Sequence, residues 1–310
     1  MSFSWPSLMQ ATYRIVRLRR LIAAAYVLVA AVLAFAALIS PELMSATRAA
    51  SIFMTMAVLI LGHVALFPNV ALETLSLSIV GAVFTVVLPV LPEIAGNASP
   101  AYYQAALTLE VVFVVLVALA MMTALQKLLE ICVYAGPVAH LRITTHLDVP
   151  YSAAVAYQQF GLRPETRRGR VMAGPVDPKG FFDVAVVSEH MTDPDDPSSP
   201  LVVKLDAKIL SSDPQNHETM LVLPNGAVTV TAHRFVPKSD GCRVSVTEMP
   251  GDFTYGMHAM FWLTDQQTDN LVEVAELMQN EPSRVNGLAH AVSLLSIAGV
   301  VLSPRQPVLD

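Results

Sequence analysis

Leu201-Val202-Val203-Lys204-Leu205-Asp206-Ala207-Lys208-Ile209-Leu210 decides how the second half of the chain folds. Leu201, Val203, Leu205, Ala207 and Ile209 alternate with Val202, Lys204, Asp206, Lys208 and Leu210. A period of two puts the first set on one face of a β-strand and the second, mostly charged set on the other. The same alternation predicts strands at about 141–148, 170–173, 182–189, 217–223, 227–236 and 241–249. Pro224-Asn225-Gly226 and Lys238-Ser239-Asp240-Gly241 join the last strands by tight turns, because Asn-Gly and Asp-Gly tolerate positive φ. From 201 onward the strands therefore form an antiparallel meander.

Helical stretches frame that meander. Residues 151–161 follow Pro150, and Pro164 with Gly169 bound a second short helix or turn. In 264–279, Leu271, Val274, Ala275 and Met278 recur at helical spacing, and Thr264 with Gln267 suits a capping box. That single apolar stripe needs a surface to cover, and the concave face of the sheet supplies one. The loop from Asp193 to Pro200 has three Asp but neither the Gly nor the bidentate Glu of an EF-hand, so it reads as a solvated connection.

Upstream of about 136 the pattern is different. Four apolar runs, at about 20–39, 49–67, 72–92 and 105–126, each approach the ~20 residues that cross a bilayer as helix. They predict a four-helix transmembrane domain over 1–136. The first run is too long for the core of a signal peptide and is expected to stay on the chain. Pro68-Asn69-Val70-Ala71 is short enough to make the second and third helices an antiparallel hairpin. Arg14, Arg17, Arg19 and Arg20 precede the first run, and Lys127, Arg142 and Arg163 follow the fourth, so both termini are expected in the cytoplasm. Of the ionisable residues in the spans, His63 is expected to bond between helices and Glu73 and Glu110 to reach opposite interfaces. Pro89 and Pro92 end or kink the third run.

Charge divides the chain in the same way. Of 19 Lys+Arg and 25 Asp+Glu, residues 1–136 hold 6 and 5, leaving 13 and 20 for the rest, a net of −7 there. An acidic domain of that kind is a poor partner for nucleic acid, whose phosphates require clustered cations. The mean hydropathy of +0.53 excludes a wholly soluble protein. Arg167-Arg168-Gly169-Arg170 is the sharpest cationic cluster, suited either to anionic headgroups or to solvent. No G-x-S-x-G, H-E-x-x-H, Walker A, Rossmann fingerprint or C-x-x-C is present. His140 and His146 lack an evident third metal ligand, and no metal or cofactor is expected. Cys242 alternates with Val244 and Val246 and reads as a small buried hydrophobe.

The order strand, short helices, antiparallel strands, final helix resembles the helix-grip fold of the START-like (SRPBCC) superfamily. Thr144-Thr145-His146-Leu147-Asp148-Val149-Pro150-Tyr151-Ser152-Ala153-Ala154-Val155 is similar to its opening strand, polar turn and first helix. Ile209-Leu210-Ser211-Ser212-Asp213-Pro214 is similar to its strand-to-turn step, and Asp240-Gly241-Cys242-Arg243-Val244-Ser245-Val246 to its late hairpin. Trp262-Leu263-Thr264-Asp265 resembles the lead-in to its closing helix. The expected fold class is thus an α-helical transmembrane bundle plus an α+β helix-grip domain with an antiparallel sheet over 140–280.

What the resemblance implies is a hydrophobic cavity between sheet and final helix, used in the family for lipids, sterols or polyketides. The strand faces alone are equally consistent with a packed core. The ligand-contacting candidates are Val203, Leu205, Arg234, Val246 and Glu248. The resulting expectation is an integral protein of a bacterial inner membrane, in contact with bilayer lipid, that binds or senses an apolar ligand on the cytoplasmic side. The alternatives are a cyclase/aromatase-type enzyme, with Arg234 and Glu248 as inward acid/base groups, and a structural subunit of a membrane complex. A last apolar run at 285–302 is expected to lie on the membrane or pack against the bundle as a helix.

Overall fold

The computed structural model describes residues 5–87, 103–168, 171–192, 199–279 and 294–295. The chain divides into two compact units, Met1–Cys132 with His290–Asp310, and Val133–Ala289. The segment 93–102, both prolines at 89 and 92, Gly169, Arg170 and the acidic loop at 193–198 lie outside the described residues, as does the run 285–302 apart from Leu294 and Leu295.

In the first unit, α1 (Leu8–Arg17) starts at a capping box in which Ser7 and Gln10 satisfy each other's backbone amides. It is followed by α2 (Arg19–Ile39), α3 (Ala46–Leu66), α4 (Ala71–Val87) and α5 (Tyr103–Tyr134). Among the described residues three helices are long and apolar enough to cross a membrane: α2, α3, and α5 over Thr108–Tyr134. A fourth span was expected at 72–92, but α4 has 17 described residues and is the shorter apolar helix of the unit. Helices suit this composition because they satisfy every backbone N–H and C=O within the segment, where lipid cannot.

Ala25, Val29, Leu33, Met56, Ile60 and Ala82 form the core of α2, α3 and α4. On α4, Ser76 and Ser78 are fully buried and return their hydroxyls to the Leu72 and Leu75 carbonyls. Small side chains of this kind let apolar helices approach closely. By contrast Leu109, Phe113, Leu128 and Ile131 on α5 are exposed, as side chains facing lipid would be.

Arg14 and Arg17 are buried, and they donate to the carbonyls of Ala65 and Pro68 at the C-terminal end of α3. One expectation for this unit is corrected. Glu73 does not reach an interface. It is 1% exposed, its Oε1 lies 2.9 Å from His63 Nε2, and His63 Nδ1 lies 3.1 Å from Thr74 Oγ1. The tight Pro68–Val70 connection folds α4 back on α3 and brings residues ten apart in sequence into contact. The amides of Leu294 and Leu295 also donate to the Glu73 carboxylate, at 2.8 and 3.3 Å.

The second unit is built on an antiparallel sheet of eight strands among the described residues, in the order β1-β8-β7-β6-β5-β4-β3-β2. The strands are β1 (Ile143–Val149), β2 (Arg167–Arg168), β3 (Val171–Val176), β4 (Phe181–Thr192), β5 (Pro200–Asp213), β6 (Asn216–Val222), β7 (Val228–Lys238) and β8 (Gly241–Met249). Strands β2 to β8 form a meander, and the first strand joins the last, with Val149 opposite Cys242 and Ile143 opposite Glu248. Both turn signals hold their places. Gly226 adopts φ +80°, and at Gly241, φ +152°, a Cβ would stand 2.0 Å from the Val149 carbonyl oxygen, so only glycine fits where β8 meets the end of β1.

Among the described residues three helices accompany the sheet: α6 (Ala153–Phe160), capped by Ser152, α7 (Tyr255–Thr264) and α8 (Gln266–Gln279). Between Pro164 and Gly169, where a short helix or turn was expected, the chain makes a turn leading into β2. Helix α7 was not foreseen, and it removes the expected capping box: Thr264 ends α7, donating back to the Met260 carbonyl. Asp265 turns the chain at φ 50°, and its carboxylate accepts from the Thr268 hydroxyl at the start of α8. The predicted stripe on α8 does face inward. Leu271 and Ala275 join Val149, Ala156, Phe160, Phe235, Val244 and Val246 in one apolar cluster, with Val274 and Met278 packed against it.

Candidate functional site

The inner face of the sheet is where a ligand could be held, and pleating fixes which side chains reach it. Phe235 and Val244 are buried on that face, and their register partners carry it across the sheet. Two cross-strand rows there are largely polar. One runs Ile209, Thr219, Thr231, Glu248, Ile143; the next runs Ser212, His217, His233, Val246, Thr145. On either side lie apolar groups, the Phe235 cluster beneath α6 and α8, and a second cluster of Phe182, Val184 and Ala207 with Leu205, Val186 and Leu162 packed against it.

The second row is a directed chain of hydrogen bonds. Leu162's carbonyl can only accept, so His217 carries a proton on Nε2 and donates to it at 2.7 Å. In the neutral ring Nδ1 then accepts from the Ser212 hydroxyl at 3.1 Å, and Ser212 accepts from the Tyr157 hydroxyl at 2.6 Å. Thr219 Oγ1 lies 3.1 Å from the same Nε2. His217 is 1% exposed, and a Cβ on Gly161 would come within 2.7 Å of its ring, so it works as a pin between β6 and the end of α6. His233 is different. It stacks on Phe235, interplanar 7°, and remains half-exposed on the inner face. The Arg163 guanidinium lies over the Tyr157 ring at 4.2 Å.

Glu248 stands in the first row, between Thr231 and Ile143. Gln267 on α8 donates to its carboxylate at 3.2 Å, while burial pushes its pKa above the ordinary carboxylate value. The hydrogen bond pulls the other way but is the smaller effect. An acid whose folded pKa is raised stabilises the fold fully below its unfolded value, near 4.5, and loses that contribution as pH rises through the folded one. Glu248→Gln keeps an acceptor for Gln267 and removes the charge. It should raise the thermal midpoint at pH 7 and leave it unchanged at pH 4; an equal change at both would refute the assignment.

Of the five sequence candidates, the structure brings Val246 and Glu248 together on the inner face of β8. Val246 is buried against Phe235's cluster. Leu205 and Val203 share the inner face of β5, opposite Val184 and Val186, with Leu205 half-buried and Val203 38% exposed. Arg234 is a correction. It precedes the buried Phe235, so it points to the outer face, is exposed there, and makes no pair with Glu248. His217, His233 and Tyr157 were missed, although His217-x-Thr219 and Thr229-x-Thr231-x-His233-x-Phe235 carry the period-two signal that would have found the two histidines; Tyr157 lies on α6, outside that signal.

Among the described residues no group of three His, Cys, Asp or Glu could hold a metal ion. His146 lies in β1, exposed, with Nδ1 2.8 Å from Ser245 Oγ, and His140 precedes that strand. Cys242 is fully buried, and burial pushes its thiol pKa up.

No family model matches the chain, and no curated protein matches it. Solved structures do resemble its C-terminal half, which holds the antiparallel sheet and its helices. A structural-genomics protein from Mesorhizobium loti is 10% identical, with 46% of this chain and 99% of that one covered and a TM-score of 0.33. A protein from Chromobacterium violaceum is 14% identical over 44% and 96%, at a TM-score of 0.31. A protein of unknown function from Staphylococcus aureus is 12% identical over 46% and 98%, again at 0.31.

Proposed function

We propose that this is an integral membrane protein whose sheet unit, a START-like (SRPBCC) helix-grip domain, binds an apolar, lipid-like ligand at the cytoplasmic face of a bacterial inner membrane, with both termini in the cytoplasm. The observation that carries the ligand reading is the uneven cover of the inner face. Helices α6 and α8 pack over β1, β7 and β8, whereas β4 and β5 present Val186, Val203 and Leu205 only partly covered. Apolar surface of that kind gains from a partner that removes it from water. The adjoining rows, with Thr231 and Glu248 in one and His233 in the next, supply polar groups for the ligand's polar end. The cyclase/aromatase alternative needs Arg234 and Glu248 to converge, and they lie on opposite faces.

A clickable fatty acid bearing a diazirine, photolysed with the full chain in nanodiscs, tests this by peptide mapping. Label is expected on the peptides containing Val203 and Leu205 as well as on the apolar helices. Val203→Trp should remove most of the sheet label while leaving the helix label unchanged, because the larger side chain fills the open end of the face. Label confined to α2, α3 and α5 in the parent chain would overturn the proposal.

A further inference from the structure

The inward stripe of α8 changes character at its first turn. Leu271 and Ala275 lie in the apolar cluster with Val246 and Val244 of β8. One turn before Leu271, on the same face of the helix, stands Gln267, and the next inner position of β8 after Val246 is Glu248. Gln267 is 3% exposed. A carboxylate only accepts, so the amide turns Nε2 toward Glu248 Oε2, at 3.2 Å, and Oε1 away from it. That amide oxygen is closed off from water and, among the described residues, accepts no hydrogen bond.

A buried acceptor without a donor is costly, and it is rare enough in folded proteins to require a cause. Packing is not the cause, because a leucine at 267 would continue the stripe with no polar atom to satisfy. Gln267 takes one oxygen of the Glu248 carboxylate, and the other remains a second acceptor beside the first. Both belong to the half-covered inner face. Thr231, opposite Glu248 on β7, is half-buried, and from there the row continues through Thr219 to Ile209 on β5. Three strand spacings of ~4.8 Å, about 14 Å, separate Glu248 from Ile209. Leu205 and Val203 lie further along the same face of β5. One end of this track thus presents acceptors and the other presents apolar side chains.

We propose that Gln267 Oε1 and Glu248 hold the polar end of the ligand, and that this end is a hydrogen-bond donor, the hydroxyl of a long-chain alcohol whose chain crosses the sheet to Leu205 and Val203. A fatty acid or phosphate ester would set its own acceptors against these and is disfavoured. A neutral hydroxyl also escapes the desolvation that a charged headgroup would suffer on entering. The assignment rests on the reading of this face as a ligand site and names the chemistry that the site selects.

Two diazirine probes with the same clickable chain, one ending in a primary alcohol and the other in a carboxylic acid, test it. Each is photolysed at pH 7 with the full chain in nanodiscs, and label on α2 and α3 corrects for how much probe enters the bilayer. Corrected label on the peptides containing Val203 and Leu205 should be about tenfold stronger for the alcohol, the worth of one hydrogen bond to a charged acceptor. Gln267→Leu should reduce that ratio to about twofold. Glu248→Gln, whose amide can donate to an acid, should bring it to about one. Protection of the buried Cys242 from a thiol reagent, in a Cys132→Ser background, shows that each variant is folded. Equal labelling by both probes in the parent chain, or a ratio that neither substitution changes, would mean that a trapped water alone serves Gln267 and would overturn the assignment while leaving the ligand reading in place. Absence of sheet label from both probes would fail the ligand reading together with it.

Discussion

Phe235→Ala is expected to destabilise the sheet unit by about 3–5 kcal/mol, the usual cost of deleting a buried aromatic ring and leaving a cavity. Phe235 is 1% exposed, lies in the apolar cluster with Ala156, Val244 and Leu271, meets the Tyr157 ring edge-on at 5.7 Å and stacks on His233. Its loss therefore empties the point where α6, β7 and β8 converge and frees Tyr157 from the hydrogen-bond chain to His217. Cys242 supplies the readout. It is buried one strand away, opposite Pro237, while Cys132 is exposed. In a Cys132→Ser background, a thiol-reactive dye reports the temperature at which the sheet opens. For a unit of about 150 residues the midpoint should fall by roughly 10 °C. A shift below 2–3 °C would mean that the ring is not at the centre of the core.

The second large effect belongs to the helical unit. Glu73→Leu strips the acceptor from His63 Nε2 and from the amides of Leu294 and Leu295 while adding an apolar side chain of similar size. Buried donors left without a partner cost about 1–3 kcal/mol each. Glu73→Gln retains an acceptor and should lose much less. Helicity followed by circular dichroism through a titration with sodium dodecyl sulfate should rank the parent above Glu73→Gln and that above Glu73→Leu. Equal resistance of Leu and Gln variants would show that the His63–Glu73 contact does not hold α3 and α4 together.

Local pattern carried much of the architecture. The alternation in 201–210 located β5, and the stripe Leu271, Val274, Ala275, Met278 oriented α8, because each signal lies within one element and records which side faces water. The apolar runs likewise located α2, α3, α4 and α5, with α5 extending to Tyr134. Punctuation was less secure. Thr264 and Gln267 have the spacing of a capping box, yet the uncharged stretch before them is itself helical, so the chain breaks at Asp265 instead. Arg234 was misplaced for a related reason: it shares its face with the apolar Val230 and Ala232, whereas the inner face carries the polar Thr229, Thr231 and His233, and only the buried Phe235 fixes which way the pleat runs.

Sequence by itself determined where this protein is apolar, where it alternates and where it turns, because each of those depends on a handful of consecutive residues. Tertiary structure alone decided who meets whom. The pairing of β1 with β8 spans about a hundred residues, as do the contacts of His258 with Ala139 and Thr254 with Val133. Glu73 reads as an interfacial acid until α4 folds back on α3 and closes it over His63. His217 and His233 become neighbours only through the register of β6 with β7. A side chain's partner is set by the register and packing of elements distant along the chain, and local hydrophobic period contains no record of that distance.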